Sequence, residues 1–147
     1  MTVIHHGPGL GNLATKATGA LTAADISLFT IAGGRIMLTS IVGEVTVTVT
    51  VANSSKLKLN PTEGSVDADL CAVLDIGSTD TPVGNLLAIT GVPGDAMIRA
   101  AGLARVQTNY LILDEGVIEQ ESAGTDGEIT WSVTWLPYDQ GATLVAA

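Results

Sequence analysis

From Glu44 to Val51 the chain reads Glu-Val-Thr-Val-Thr-Val-Thr-Val, four valines alternating with three threonines. Successive side chains on a strand point to opposite faces, so Val45, Val47, Val49 and Val51 are expected to form one apolar stripe and the threonines the other. Every residue after Glu44 is β-branched, stiff in a helix but well suited to a pleated surface. No apolar stripe of period 3.6 competes with this pattern. The run is a strand.

A second alternation lies at Glu128–Trp135, where Ile129, Trp131, Val133 and Trp135 share one face and include both tryptophans of the chain. A tryptophan can bury upwards of about 150 Å². This face is therefore expected at the centre of the core, packed across a sandwich from the valine stripe. Pro137 should end the strand, and the uncharged Leu144–Ala147 tail reads as a final strand or a segment docked on a partner.

Between these runs the punctuation is that of an all-β chain. Ile26–Ile31 reads as a strand, Gly33-Gly34 as a turn, and Arg35–Val42 as a second strand broken by Gly43 before the valine run. Asn53-Ser54-Ser55 reads as a turn, and Lys56-Leu57-Lys58-Leu59 as an edge strand whose outward charge discourages pairing with another sheet. Val66–Ile76 reads as a strand pair or one long strand, and Asn85–Thr90 and Tyr110–Leu113 as further strands. Asp114-Glu115-Gly116 is a tight turn before Val117–Gln120. Short helical stretches remain possible at Thr22–Asp25 and Ala96–Ala104. Eight to ten short strands at this spacing imply a single antiparallel β-sandwich or jelly roll at 26–147. The Gly/Ala/Thr-rich residues 1–25 are expected to form an extended, flexible N-terminal arm.

Composition narrows the function. Six Lys and Arg against 15 Asp and Glu give a formal charge of −9, the opposite of the clustered basic surface that nucleic acid requires. Mean hydropathy is +0.42, yet no apolar run approaches the roughly 18 residues of a membrane span. No signal peptide is recognisable at Met1–Pro8. Only 14% of residues are charged, against about 25% in an average soluble domain. A neutral surface rich in Thr, Ser and Gly accounts for part of this; interface cores are also depleted in charge, so much of the surface is expected to be covered by other subunits.

No grouping of residues identifies a catalytic, cofactor or metal site. Cys71, the single cysteine, lies in an apolar segment and reads as a small hydrophobe in a reducing compartment. Its only conceivable histidine partners, His5 and His6, belong to the arm and make a weak metal site by themselves. Gly7-Pro8-Gly9-Leu10-Gly11-Asn12 lacks the strand and the lysine of a phosphate loop. Asp67 and Asp69 share one side of a strand without the further oxygens that calcium needs. Asp114, Glu115, Glu119 and Glu121 form an acidic patch that reads as solvated hairpin charge. Asn53-Ser54-Ser55 matches a glycosylation acceptor.

Five segments carry a resemblance. They are Phe29–Ile36, Ile41–Val45, Leu57–Thr62, Asp69–Ile76 and Trp131–Thr143. Together, over about residues 28–147, the chain resembles the capsid decoration, or cement, proteins of tailed bacteriophages, small β-sandwiches that bind the outside of the head as oligomers. The resemblance implies a non-enzymatic virion protein, made in the host cytoplasm and located on the capsid exterior. Its partners would be the major capsid protein and further copies of itself, as a dimer or trimer, with no cofactor, nucleic acid or membrane. The segments are strand-and-turn text, so no functional residue follows from them. Alternative expectations are a tail-tube, head-completion or fibre-associated virion protein, and a carbohydrate-binding jelly roll.

Overall fold

The computed structural model describes residues 11–64, 66–105 and 107–147. These form an all-β structure of two antiparallel sheets packed face to face, without a helix among the described residues. The first sheet runs in the order β1 (Asn12–Ala17), β11 (Glu128–Pro137), β3 (Ile36–Val47), β7 (Asn85–Ala88), β8 (Ile98–Ala101), and β9 (Leu111–Leu113) pairs with the near end of β3. The second runs β12 (Thr143–Ala146), β2 (Asp25–Ala32), β10 (Gly116–Glu121), β4 (Ser54–Pro61), β5 (Ala68–Asp69), and β6 (Leu74–Asp75) pairs with the start of β4.

The tryptophan strand behaves as its alternation requires. Ile129, Trp131 and Val133 are fully buried and Trp135 nearly so. Phe29, Leu57 and Ile118 from the second sheet join them in one continuous core. Each such side chain stabilises the fold by about 1.5–3 kcal/mol through the area it removes from water. The two sheets are also joined by a buried polar chain. The Trp131 Nε1–H donates to Gln120 Oε1 (2.9 Å), Gln120 Nε2 to Ser55 Oγ (3.3 Å), and Ser55 Oγ to Asn53 Oδ1 (2.9 Å). Asn53 Nδ2 then reaches Ser122 Oγ (2.9 Å), so each side chain along this chain has a partner.

The valine run departs from its expected form. Val45 and Val49 are fully buried, whereas Val47 and Val51 are about half exposed. The reason is a break in the ladder. Ile129 pairs with Val45 but Glu128 with Val47, so the period-2 pattern slips by one residue where β3 ends. Beyond it, Val49 makes a single bridge to Thr81, and the Thr50 and Val51 N–H groups are captured by the Asp126 carboxylate. The valines do not face the tryptophans across the sandwich either: β3 and β11 are hydrogen-bonded neighbours in one sheet.

Gly43 does not break β3. It pairs with Trp131, and a Cβ there would come within 2.9 Å of the indole ring and of Ile129. The glycine makes room for the largest core side chain. Gly33 and Gly34, both with positive φ, form the expected turn, which carries the chain from the second sheet to the first.

Four further expectations are corrected. The part of the presumed arm that is described belongs to the sandwich: β1 pairs along its length with β11, and Leu21 is buried in the core. No helical turn forms at 22–25, because Asp25 opens β2. Within 96–104 the chain forms strand β8, where Ile98 and Ala100 pair with Ala88 and Leu86. Val66–Ile76 is not one long strand: it holds two short strands, β5 and β6, each two residues long and each paired with β4. His5, His6 and Gly7–Leu10 lie outside the described residues.

Candidate functional site

With the core occupied by apolar side chains, what the molecule offers a partner is the outside of its two sheets. The alternation that buries one set of residues presents the other, and cross-strand register fixes which outward residues adjoin. On the second sheet one row is Asp25–Glu121–Lys56 and the next Ser27–Glu119–Lys58–Asp69. Ionisable groups fill both.

Lys58 is the centre of this face. It was expected on an exposed edge, yet β4 is an inner strand and Lys58 is only 6% exposed. Its Nζ donates to Asp25 Oδ2 (2.9 Å) and lies 2.8 Å from Asp67 Oδ2 and 3.3 Å from Glu121 Oε2. These partners, Asp67 first, hold the ammonium pKa well above the usual lysine value. Nucleophilic and Schiff-base lysines need the opposite shift. Lys56 Nζ pairs with Asp69 Oδ1 at 3.0 Å. Asp67 and Asp69 therefore do share a side, as expected, and each meets a lysine of β4.

Glu119 is the exception. It is 8% exposed, and its Oε1 has no hydrogen-bond partner. Burial raises its carboxyl pKa above the ordinary glutamate value. One oxygen each from Asp25, Asp67 and Glu119 lie within 4.8 Å of one another, spacing that suits a cation. The Lys58 ammonium already supplies positive charge there. The expected acidic patch is divided: Glu119 and Glu121 join this network, while Asp114 and Glu115 sit in the turn at the far end of β10.

The first sheet presents a different face. One row crosses five strands as Thr15–Ser132–Val42–Ala88–Ile98. The row on one side is Ala17–Thr130–Glu44–Leu86–Ala100, and on the other lie Leu13–Thr134–Ser40 and then Leu136–Met37–Ile112. Glu44 is the one ionisable side chain in these four rows. The hydroxyls bond among themselves, Ser40 Oγ with Thr134 Oγ1 at 2.7 Å and Thr15 Oγ1 with Ser132 Oγ at 3.4 Å. At the β7–β8 end a groove of about 200 Å³ is lined by Leu86, Ile98, Leu103 and Arg105, smaller than the roughly 300 Å³ at which small-molecule pockets begin.

The other singled-out residues are structural in their surroundings. The Cys71 thiol is buried, its pKa is pushed up by that burial, and it accepts the Leu57 N–H (3.4 Å), the reverse of an activated thiolate. Asn53 is buried as the hub of the core polar chain, out of reach of glycosylation in the folded protein. Its centrality, and that of Gln120, leaves no trace in a sequence read locally.

No protein-family model matches the chain, and no curated protein or solved structure matches it.

Proposed function

We propose that this chain is a non-enzymatic structural protein of a tailed-phage virion. It docks as an oligomer on the outer surface of the head, through the outer face of the first sheet, and stabilises the assembled lattice. The observation that carries this reading is the contrast between a chain of net charge −9 and a broad face with one ionisable side chain in four rows. Desolvating Ser, Thr, Ala and Val side chains costs far less than desolvating unpaired carboxylates, so this is the side of the molecule cheapest to cover. The resemblance of five segments to capsid decoration proteins supplies the kind of partner.

The mechanism is mass action. A protein that binds the assembled lattice but not its free subunits stabilises the lattice by RT ln(1 + [L]/Kd) per site, repeated over many copies. Oligomeric binding adds avidity, because each later contact is intramolecular.

Gold-labelled antibody against this protein, applied to purified virions and viewed by electron microscopy, tests the reading. Label spread over the head is the expected result. Label confined to tail or neck would replace it with a ring-forming tail or head-completion protein, and absence from the particle would leave a soluble binding module.

A further inference from the structure

Strand β1 closes one side of the first sheet, and its ladder to β11 accounts for half of its backbone groups. The Thr18 N–H donates to Ile129 O, which sets the alternation of the antiparallel pair. Counting back from it, Asn12, Ala14 and Lys16 direct their N–H and C=O groups at β11. Those of Leu13, Thr15 and Ala17 point away from the sheet, and no strand pairs with that side among the described residues.

Sheet edges are ordinarily protected by brevity, charge, proline or a bulge. The second sheet ends in β5, two residues long, with Asp67 just before it and Asp69 within it. β1 has none of these devices. It is six residues long, contains no proline, and keeps an unbroken register with β11. Its single charge, Lys16, pairs with Trp131 on the inner side and donates to the Ala147 carbonyl (2.6 Å), across the end of the sandwich. Leu13, beside it on the outer face, is 60% exposed.

We propose that β1 is a self-association edge: β1 of a second copy pairs with it, antiparallel about a two-fold axis. This deepens the oligomeric part of the reading above and rests on it. Unpaired N–H and C=O groups call for a strand, and in an isologous antiparallel pair each copy satisfies the other's set. Same-face residues must meet, and with the axis at Ala14 the pairs are Ala14 with Ala14, Leu13 with Thr15, and Asn12 with Lys16. No like charges are opposed, and the facing side chains on the axis are small. The joined sheets also make one surface of twice the width, continuous across the Thr15–Ser132 row that the docking face contains. A six-residue ladder is a small interface. Association in free solution is accordingly weak and strengthens where neighbouring copies are held side by side.

Sedimentation velocity on the intact chain, from about 1 to about 300 µM, reads this directly. Thr15→Pro removes an N–H that points outward while sparing every backbone bond to β11, and proline is tolerated on edges for that reason; of the contacts to β11 only the exposed Thr15–Ser132 hydroxyl contact is lost. Leu13→Lys alters an already exposed side chain and places two cations near the axis, which keeps the test open if the proline variant does not fold. The expected result is concentration-dependent dimerisation of the wild type, weakened about tenfold or more in both variants, with unchanged thermal unfolding midpoints. A wild-type dimer that survives both substitutions overturns the β1 edge and leaves the oligomeric reading standing. A wild type monomeric throughout overturns both.

Discussion

The two outer faces are built by the same strand alternation and solve the problem of meeting water differently. The second sheet places five carboxylates (Asp25, Asp67, Asp69, Glu119 and Glu121) around two lysines. The first sheet uses hydroxyls and apolar side chains, small and large, over a wider area. A charged network is specific and expensive to dehydrate, so it is best left in solvent. A neutral face of threonine and serine is soluble on its own and still cheap to cover. What a chain of this kind shows a partner is thus decided by which face carries the charge, and less by how much charge there is.

The comparison breaks most sharply at Lys58. Lys58→Ala would leave Asp25, Asp67 and Glu121 facing one another without their shared cation. Removing one partner of a buried ion pair costs about 3–5 kcal/mol. Here the three acids remain 38–48% exposed, so a loss of about 2 kcal/mol is expected, measured by urea unfolding at neutral pH. A loss below about 0.5 kcal/mol, ordinary for a surface site, would mean the network is no more than solvated charge.

Acid should destabilise the fold through its loops, where donors hold three carboxylates in the ionised form. Asp75 Oδ1 accepts the N–H groups of Asn53, Gly77 and Ser78 at 3.0 Å, and its Oδ2 the Ser78 hydroxyl at 2.5 Å. These donors, the Ser78 hydroxyl foremost, hold its pKa far below the ordinary aspartate value. Those of Asp126 and Asp139 are lowered by Thr50 and by Arg35. A depressed folded-state pKa contributes stability above the unfolded value of about 4, and that stability is lost as pH falls through the folded value. The melting temperature should therefore drop below about pH 4. Asp75→Asn should melt several degrees lower than wild type at pH 7, with the gap narrowing in acid. An equal gap at both pH values would remove the carboxylate charge from the explanation.

Glu119→Gln should move stability the other way. Its raised pKa means that the ionised form is disfavoured in the fold, so its contribution favours folding below the unfolded value and is lost as pH rises through the folded one. The amide can keep the Asn60 contact, and Lys58 retains three other acids. The variant should match wild type near pH 4 and exceed it by roughly 0.5 kcal/mol at pH 7 in denaturant titrations. Lower stability at pH 7 would show that the Glu119 charge is needed by Lys58.

Which of these features were legible in the sequence depended on whether their cause was local. The buried face of β11 followed from alternation and aromatic content, and the Gly33-Gly34 turn from backbone freedom. The alternation Lys56-Leu57-Lys58-Leu59 also gave the burial of both leucines correctly. It could not tell an edge from an inner strand, because strand order is set by distant partners, here β10 and β5. β1 was read as an arm for the same reason. Asn-Leu-Ala-Thr-Lys-Ala buries little by itself and becomes a strand because β11 supplies its hydrogen bonds. The valine run failed halfway, at a bulge whose position belongs to the β3–β11 pairing and to no residue within the run.

The smallest expected effect on stability falls on the first sheet and bears most directly on the proposed function. Ser132 lies in the middle of the uncharged row, between Thr15 and Val42, half-buried and without a buried partner to lose. Ser132→Lys puts an ammonium at that point with its stem lying over Val42 and its charge free in water, so the fold should change by less than about 0.5 kcal/mol. Covering the same lysine with another protein surface would strand the charge, a penalty of several kcal/mol unless an acid meets it. The variant should melt with the wild type and yet fail to co-sediment with phage heads. An equivalent lysine at Ser27, on the charged face, should leave head binding untouched. If the two variants bind alike, the faces are equivalent to the partner and docking lies elsewhere on the molecule. If Ser27→Lys alone is impaired, the charged face is the one that is covered, and the functional assignment of the two sheets must be exchanged.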